Sequence, residues 1–281
     1  MSAQNDFTFR HLSSPEDYDA CVRLQRITWG EEFTEVVPPV ILMLTQKVGG
    51  LAAGAFDDEG QLAGYVYGLT GYRNGEPVHW SHMLAVEPRF EGLGIGRRLK
   101  ELQRELLLER GINLVSWTFD PLVARNAHLN YNRLGAVVTE YIPNMYGTDT
   151  GSLLHSGLGT DRFVVEWSLA DSHVEDVLSG MPAGPNSNVT EAPIVNTEEV
   201  DGEVLPVERD LPDAPVVRIE IPWDIEQIKA EAMDLGRQWR ATTRRACLSY
   251  LDRGYGVDGF YAETNTQRCF YYLILRQGAE Q

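Results

Sequence analysis

The sequence predicts a mixed α/β protein, an α+β arrangement with a mostly antiparallel sheet flanked by helices. Three observations carry that expectation. Strand-like runs at 51–56, 62–70 and 78–86 follow one another through Asp57-Asp58-Glu59-Gly60 and Arg73-Asn74-Gly75-Glu76, connections short enough only for antiparallel neighbours. The third run enters a loop holding Gly92, Gly94 and Gly96; the loop opens into a helix with Leu99, Leu102, Leu106 and Leu107 at helical spacing, and a strand over 112–119 completes one parallel crossover. A smaller helix-plus-hairpin pattern occupies the last part of the chain.

Taken in order, a strand at 7–12 precedes Ser14-Pro15-Glu16-Asp17, which sets a cap residue, a proline at the first helical position and an acid three residues after the cap. That predicts a helix to Trp29. Pro38-Pro39 starts a second helix, and Gly49-Gly50 stops it. After the crossover, Asp120-Pro121 opens a helix running to Leu134 and closed by Gly135. Strands at 136–142 and 162–169, around a glycine-rich excursion (Gly147, Gly151, Gly157, Gly159), complete a first domain at 1–169. From 170 to 214 the composition turns to Pro, Asn, Ser, Glu and Asp with little periodicity, which predicts an acidic, solvated linker. Residues 215–281 are expected to form a C-terminal α/β extension packing on the first domain, because one helix and two or three strands make a thin core alone. In it Asp224 and Gln227 cap a helix reaching about 252, followed by strands at 256–262 and 268–275. Tyr250-x3-Gly254 there repeats Tyr131-x3-Gly135, each followed by strands, a spacing that suggests a degenerate half-repeat.

The chain has 281 residues, 43% of them hydrophobic, and a formal net charge of -17. That charge argues against a nucleic-acid backbone or an anionic membrane as partner. Cys21, Cys247 and Cys269 form no CxxC pair, so no disulfide framework, zinc site or other metal is expected. The N-terminus lacks a basic start and apolar core, and a cytoplasmic location is expected.

The glycine loop carries the chemistry. Amides left unpaired at a helix N-terminus converge with the positive end of the macrodipole, and glycines let a phosphate approach them. The P-loop string is absent, and the glycine spacing and the antiparallel strands upstream do not fit a dinucleotide fingerprint. Arg89-Phe90-Glu91-Gly92-Leu93-Gly94 instead has the R-x-x-G-x-G pattern, and with the element order of 6–169 it resembles the acetyl-CoA signature of the GNAT superfamily of N-acetyltransferases. With Thr118-Phe119-Asp120-Pro121 and Trp239-Arg240, the whole chain looks like a bacterial subgroup carrying a C-terminal extension.

The resemblance implies an acetyl-CoA-dependent N-acetyltransferase that acts on a small-molecule or peptide amine through a direct ternary complex. It implies that Leu84, Ala85 and Val86 bond the pantetheine arm through their backbones. The amides of Glu91, Gly92, Leu93, Gly94, Ile95, Gly96 and Arg97 would hold the pyrophosphate, with Arg89 and Arg98 beside them. Tyr131, four residues before Gly135, takes the position of the family's acid; Asn126 lies two residues nearer that glycine than the usual coenzyme-contacting Asn. The base is not fixed by the resemblance. Alternation along an extended strand puts His82 on the face of Leu84 and Val86 and His79 on the other, which makes His82 a candidate base, with Glu31 and Glu32 just after the first helix as further candidates, and disfavours a His-x-x-His chelate. Trp29, Phe33, Trp117, Tyr141 and Tyr146 are expected near the acceptor groove. An acyl-CoA-binding or sensing module without turnover is the alternative reading, and the sequence leaves a homodimer open.

Overall fold

The computed structural model describes residues 6–147, 151–152, 157–181, 185 and 187–276. Residues 1–5, stretches of the expected glycine-rich excursion (148–150 and 153–156) and of the expected linker (182–184 and 186), and the tail 277–281 lie outside the described residues. Contacts divide the chain into two compact units: residues 1–117 with 149–156 and 168–171, and residues 118–148 with 157–167 and 172–281.

In the first unit β1 (Thr8–His11), β2 (Leu51–Phe56), β3 (Leu62–Arg73) and β4 (Glu76–Val86) pair antiparallel in sequence order, and β5 (Leu114–Phe119) adds to β4 in parallel. Helix α1 (Pro15–Trp29) starts at a complete capping box: Ser14 Oγ accepts from the Asp17 amide and the Asp17 carboxylate accepts from that of Ser14. Both bonds satisfy amides that the helix itself cannot. Helix α2 (Pro39–Lys47) buries only Leu42 and Thr45 and leaves Val40, Ile41, Met43 and Leu44 exposed. One apolar cluster joins Leu24 and Leu42 of these helices to Tyr65, Tyr67, Met83 and Ala85. A second joins Ala53, Val66, Leu84 and Val86 to Ile95 and Leu99 of α3 (Ile95–Leu108). The two clusters cover opposite faces of the strands.

In the second unit β6 (Val137–Ile142) pairs antiparallel with β7 (Arg162–Ser168), and β10 (Val216–Ile221), β12 (Arg268–Leu275) and β11 (Tyr255–Glu263) form an antiparallel sheet in that order. Residues 216–276 therefore share one unit with 118–147 and 157–167.

Three local expectations are corrected here. The stretch read as a linker holds helices α5 (Ser172–Leu178) and α6 (Ser187–Thr190) and a hairpin of β8 (Thr197–Val200) and β9 (Glu203–Pro206). Burial explains the difference: Val174 and Val177 pack on Gly135, Val189 packs with Tyr261 and Phe270, and Thr197 donates to the buried Glu220 carboxylate. Second, Asp120-Pro121 does not open a helix. The Asp120 side chain accepts from the Leu122 amide in a local turn, a short α4 (Ala124–Ala127) begins later, and a π-helical turn spans His128–Arg133. Third, the helix after Asp224 is two helices, α7 (Ile225–Glu231) and α8 (Met233–Asp252), parted at an extended Ala232 that sets Met233 against Gly157.

Candidate coenzyme and acyl-transfer site

The glycine loop is built from its flanks inward. Phe90 is buried edge to face on Phe7 at 5.3 Å, which anchors the 3-10 turn Pro88–Phe90, and the Glu91 amide closes that turn on the Pro88 carbonyl at 3.2 Å. Gly92 and Gly94 then adopt φ of +79° and +77°, the left-handed region where a side chain is strained. Gly94 is the N-cap of α3; no side chain caps that helix and its first turn holds no acid. A Cβ at Gly92 or Gly94 would meet nothing within 4 Å. The open space, positive dipole end and uncapped helix start fit a bound pyrophosphate.

The arginines here have protein partners: Arg89 pairs with Glu87 at 2.8 Å, Arg97 with Glu101 at 2.7 Å, and the Arg98 guanidinium lies 4.1 Å above the centre of the Phe9 ring. What the loop offers a ligand is therefore chiefly backbone, at Glu91, Gly92, Leu93 and Gly94, all exposed, and at Gly96, half-buried, while Ile95 packs beneath.

The strand leading to the loop has an edge of its own. The parallel ladder between β4 and β5 runs from Val78/Leu114 to Trp80/Ser116, and from Ser81 onward β4 pairs with β3. Leu84, Ala85 and Val86 thus lie on a stretch past the end of that ladder, the geometry by which an extended partner adds along a strand.

At the same point β4 carries a bulge. Tyr67 pairs with Met83 but Gly68 with Ser81, so His82 is an extra residue. The bulge inverts the expected alternation. His82 does not share the face of Leu84 and Val86; its ring meets Tyr67 on the other side of the strand, and it is His79 that turns toward α3. Burial lowers the His82 pKa, and Glu35 opposes that shift.

On the α3 side the structure assembles a buried polar chain that the sequence reading missed. Thr70 Oγ1 donates to the Gly49 carbonyl at 2.8 Å and lies 3.0 Å from His79 Nδ1; Gln103 Nε2 stands 3.2 Å from His79 Nε2; and the Lys100 amine donates to Gln103 Oε1 at 3.0 Å and Ser81 Oγ at 2.9 Å. The Lys100 Nζ also stands 3.6 Å over the Trp117 ring. Gly68 is required here, because a Cβ would fall 2.2 Å from His79 Nε2. Burial, with Arg110 and a charged Lys100 adding to it, pushes the His79 imidazole down to about 3, and burial holds Lys100 well below the ordinary lysine range. The signal was present in spacing: Gln103 lies four residues from both Leu99 and Leu107, with Lys100 beside them on the apolar face.

Tyr131 and Asn126 belong to the second unit. Tyr131 lies in the π-helical turn, 8% exposed, with its hydroxyl directed at the Val257 carbonyl at 3.5 Å and its ring against Tyr271. Burial raises its pKa well above that of a free tyrosine, so the hydroxyl stays protonated. A cavity of about 270 Å³ lies beside it, lined by Asn132, His173, Asp258, Phe260 and Tyr272 among others. Asn126 is half-buried, its amide bonded to the Val123 carbonyl at 3.0 Å. Of the aromatics expected around an acceptor groove, Trp29 stacks on Phe33, Trp117 lies under Lys100, Tyr141 donates to Asp161 at 2.5 Å, and Tyr146 bonds Thr118. All five have protein partners. Among the described residues no helix is long and apolar enough to cross a membrane.

The family model described as Acetyltransferase (GNAT) family matches residues 18–136. No curated protein matches the chain. Among solved structures, the NatC complex bound to Gag peptide and CoA contains a chain 16% identical, with 58% of this chain and 98% of that one covered and a TM-score of 0.47. Aminoglycoside 6'-acetyltransferase type Ii is 20% identical over 58% of this chain and 98% of its own, with a TM-score of 0.46. A ribosomal-protein alanine N-acetyltransferase from Escherichia coli is 18% identical over 59% and 96%, with a TM-score of 0.44. Over residues 18–136 the chain carries an acyltransferase domain of the acetyltransferase (GNAT) family.

Proposed function

We propose that the protein is an acetyl-CoA-dependent N-acetyltransferase that passes the acetyl group directly to a primary amine of a small molecule or peptide, in the cytoplasm. The observation that carries this reading is the uncapped start of α3 at Gly94, reached through Gly92 and lying directly after the stretch of β4 beyond the β5 ladder. Bound acetyl-CoA supplies an activated thioester. The residues of the chain then position it: the amides of 91–97 hold the pyrophosphate, and the backbones of Leu84, Ala85 and Val86 receive the pantetheine arm. Little covalent help is needed for attack by a neutral amine, and positioning alone can contribute about 7–11 kcal/mol.

In this reading His82 takes the ammonium proton, since burial favours its neutral form. A β4 amide at or next to Val86 donates to the developing oxyanion. Tyr131 is the proton donor to the departing sulfur, and its raised pKa keeps the proton in place until then.

A second reading, a coenzyme-binding module without turnover, is favoured by one contact: the Tyr131 hydroxyl already faces the Val257 carbonyl. Thiol release from acetyl-CoA across a panel of amines separates the two. Turnover that Tyr131→Phe reduces about a hundredfold supports the acid role. Stabilisation by acetyl-CoA with no thiol release for any amine supports the module, and full activity of Tyr131→Phe refutes the assignment of the acid.

A further inference from the structure

The residues lining the cavity of about 270 Å³ all belong to the second unit; they come from the π-helical turn, the start of β6, α5, and the strands β11 and β12. The space is many times what one water needs. Two glycines shape its β11 side. Arg276 lies over Gly256 and Tyr272 over Gly259: a Cβ would fall 2.2 Å from the Arg276 Nε in the first case and 2.2 Å from the Tyr272 hydroxyl in the second. Glycine inside a strand weakens it and marks a close approach. Between the two glycines β11 bulges, since Val257 pairs with Leu273 but Gly259 with Tyr272, and the extra residue is Asp258. A bulge re-aims the side chain it carries, and Asp258 lines the cavity.

The polar groups around this space are unmatched. Asn132 Nδ2 donates to the Phe260 carbonyl at 3.1 Å, and because a carbonyl can only accept, that bond fixes which end of the amide is which. The Asn132 Oδ1 is left buried, with no hydrogen-bond partner among the described residues. A buried acceptor in that state calls for a donor. Asp258 and Arg276 line the same cavity, and among the described residues neither forms an ion pair. Burial, and then the charge of Asp258, raises the Tyr272 pKa, so that hydroxyl keeps its proton. Val137, Val257 and Phe260 supply apolar surface.

We propose that this cavity binds a free α-amino acid with an apolar side chain, its ammonium taken by Asp258 and Asn132 Oδ1 and its carboxylate by Arg276. Opposite charges that line one cavity without pairing are complementary to a ligand that carries its own opposite charges apart. A simple anion would meet Arg276 but be opposed by Asp258; a simple amine would leave Arg276 unmatched. Asn132 Oδ1 sorts the two ends, because it accepts from an ammonium and repels a carboxylate. The apolar surface of Val137, Val257 and Phe260 receives the side chain. The inference goes beyond the acetyl-CoA reading and does not depend on it, since no residue of the glycine loop takes part.

The test is isothermal titration calorimetry of the full-length protein, without acetyl-CoA, using L-leucine, L-methionine and L-phenylalanine as probes. The expected result is saturable binding of at least one of them at millimolar concentration or below. The N-acetyl and the amide derivatives of that amino acid each lack one charge and should bind about tenfold more weakly. Asp258→Asn and Arg276→Gln change exposed residues, so the unliganded thermal midpoint should stay in place while affinity falls about tenfold in each. Arg276→Gln should also erase the preference for the amino acid over its decarboxylated amine, which a merely structural role would not do. No heat with any of the three probes means that the cavity holds water only and overturns the inference. Equal binding of the N-acetyl derivative, or affinity unchanged in both variants, overturns it as well. Acetyl-CoA titrated in parallel keeps the two readings apart: its failure to bind overturns the acetyltransferase reading and leaves this one standing.

Discussion

The rings of His82 and Tyr67 meet edge to face with centroids 6.1 Å apart, on the face of β4 that Leu84 turns away from. One extra residue in a strand produces that relationship, and it decides which histidine can reach which side of the sheet. His82→Phe keeps the ring contact and removes the base. We expect kcat/KM to fall about a hundredfold while the thermal midpoint changes little. In the wild type the acid limb of the rate profile should lie below pH 6.5, because burial lowers the His82 pKa and the free base persists into acid. A wild-type rate profile in His82→Phe would move the base elsewhere.

Gly94 tests the cradle. Its φ of +77° strains any side chain, yet nothing lies within 4 Å of a Cβ there. Gly94→Ala should cost about 1–2 kcal/mol of stability by urea unfolding, from backbone strain alone. Gly94→Glu adds a like charge at the phosphates and should weaken acetyl-CoA well beyond the alanine variant. Equal affinities for the two would contradict the phosphate placement.

His79 makes the fold sensitive to acid. Its folded pKa is about 3 against an unfolded value near 6.5, so between those limits the unfolded chain binds a proton that the folded chain does not. Stability therefore rises with pH across that window and is lost as pH falls, by about 1.4 kcal/mol per pH unit from this group. His79→Gln should flatten the slope of unfolding free energy between pH 6.5 and 4.5 by about that amount. An unchanged slope would mean that the imidazole titrates normally in the fold.

In the second unit Arg240 donates to the Asp120 carboxylate at 2.6 Å across 120 residues of sequence, and both side chains are largely buried. Arg240→Met leaves the carboxylate with Arg162 at 3.8 Å and should cost about 3–5 kcal/mol. Pairing it with Asp120→Asn should recover part of that loss. A single variant as stable as wild type would show the pair to be dispensable.

Much of this architecture is legible along the chain. Ser14 to Asp17 reads as a helix start because a cap, a proline and an acid at fixed offsets satisfy amides locally, and Leu51–Phe56 reads as a strand because tight turns bound it. What escapes is non-local. The bulge at His82 has no signature in an otherwise alternating strand, and it reverses the faces assigned to His79 and His82. Ala232, between strong helix formers, breaks its helix where Met233 reaches Gly157. The hairpin of 197–206 did carry a sign, Asp201-Gly202 with both φ positive, hidden in a stretch whose composition resembles a linker. At the site, the glycine loop was readable because backbone conformation demands glycine. The chain from Thr70 to Ser81 was not, because its members come from three elements and meet only in the fold.

The most direct test of the central claim is thermal unfolding of the wild type with acetyl-CoA, NAD and ATP in parallel. Acetyl-CoA at a hundredfold excess over its Kd should stabilise the protein by about 2.7 kcal/mol, with no comparable effect of NAD or ATP and little effect of acetyl-CoA on Gly94→Glu. An unchanged midpoint with acetyl-CoA, alongside clear stabilisation by NAD, would contradict the account.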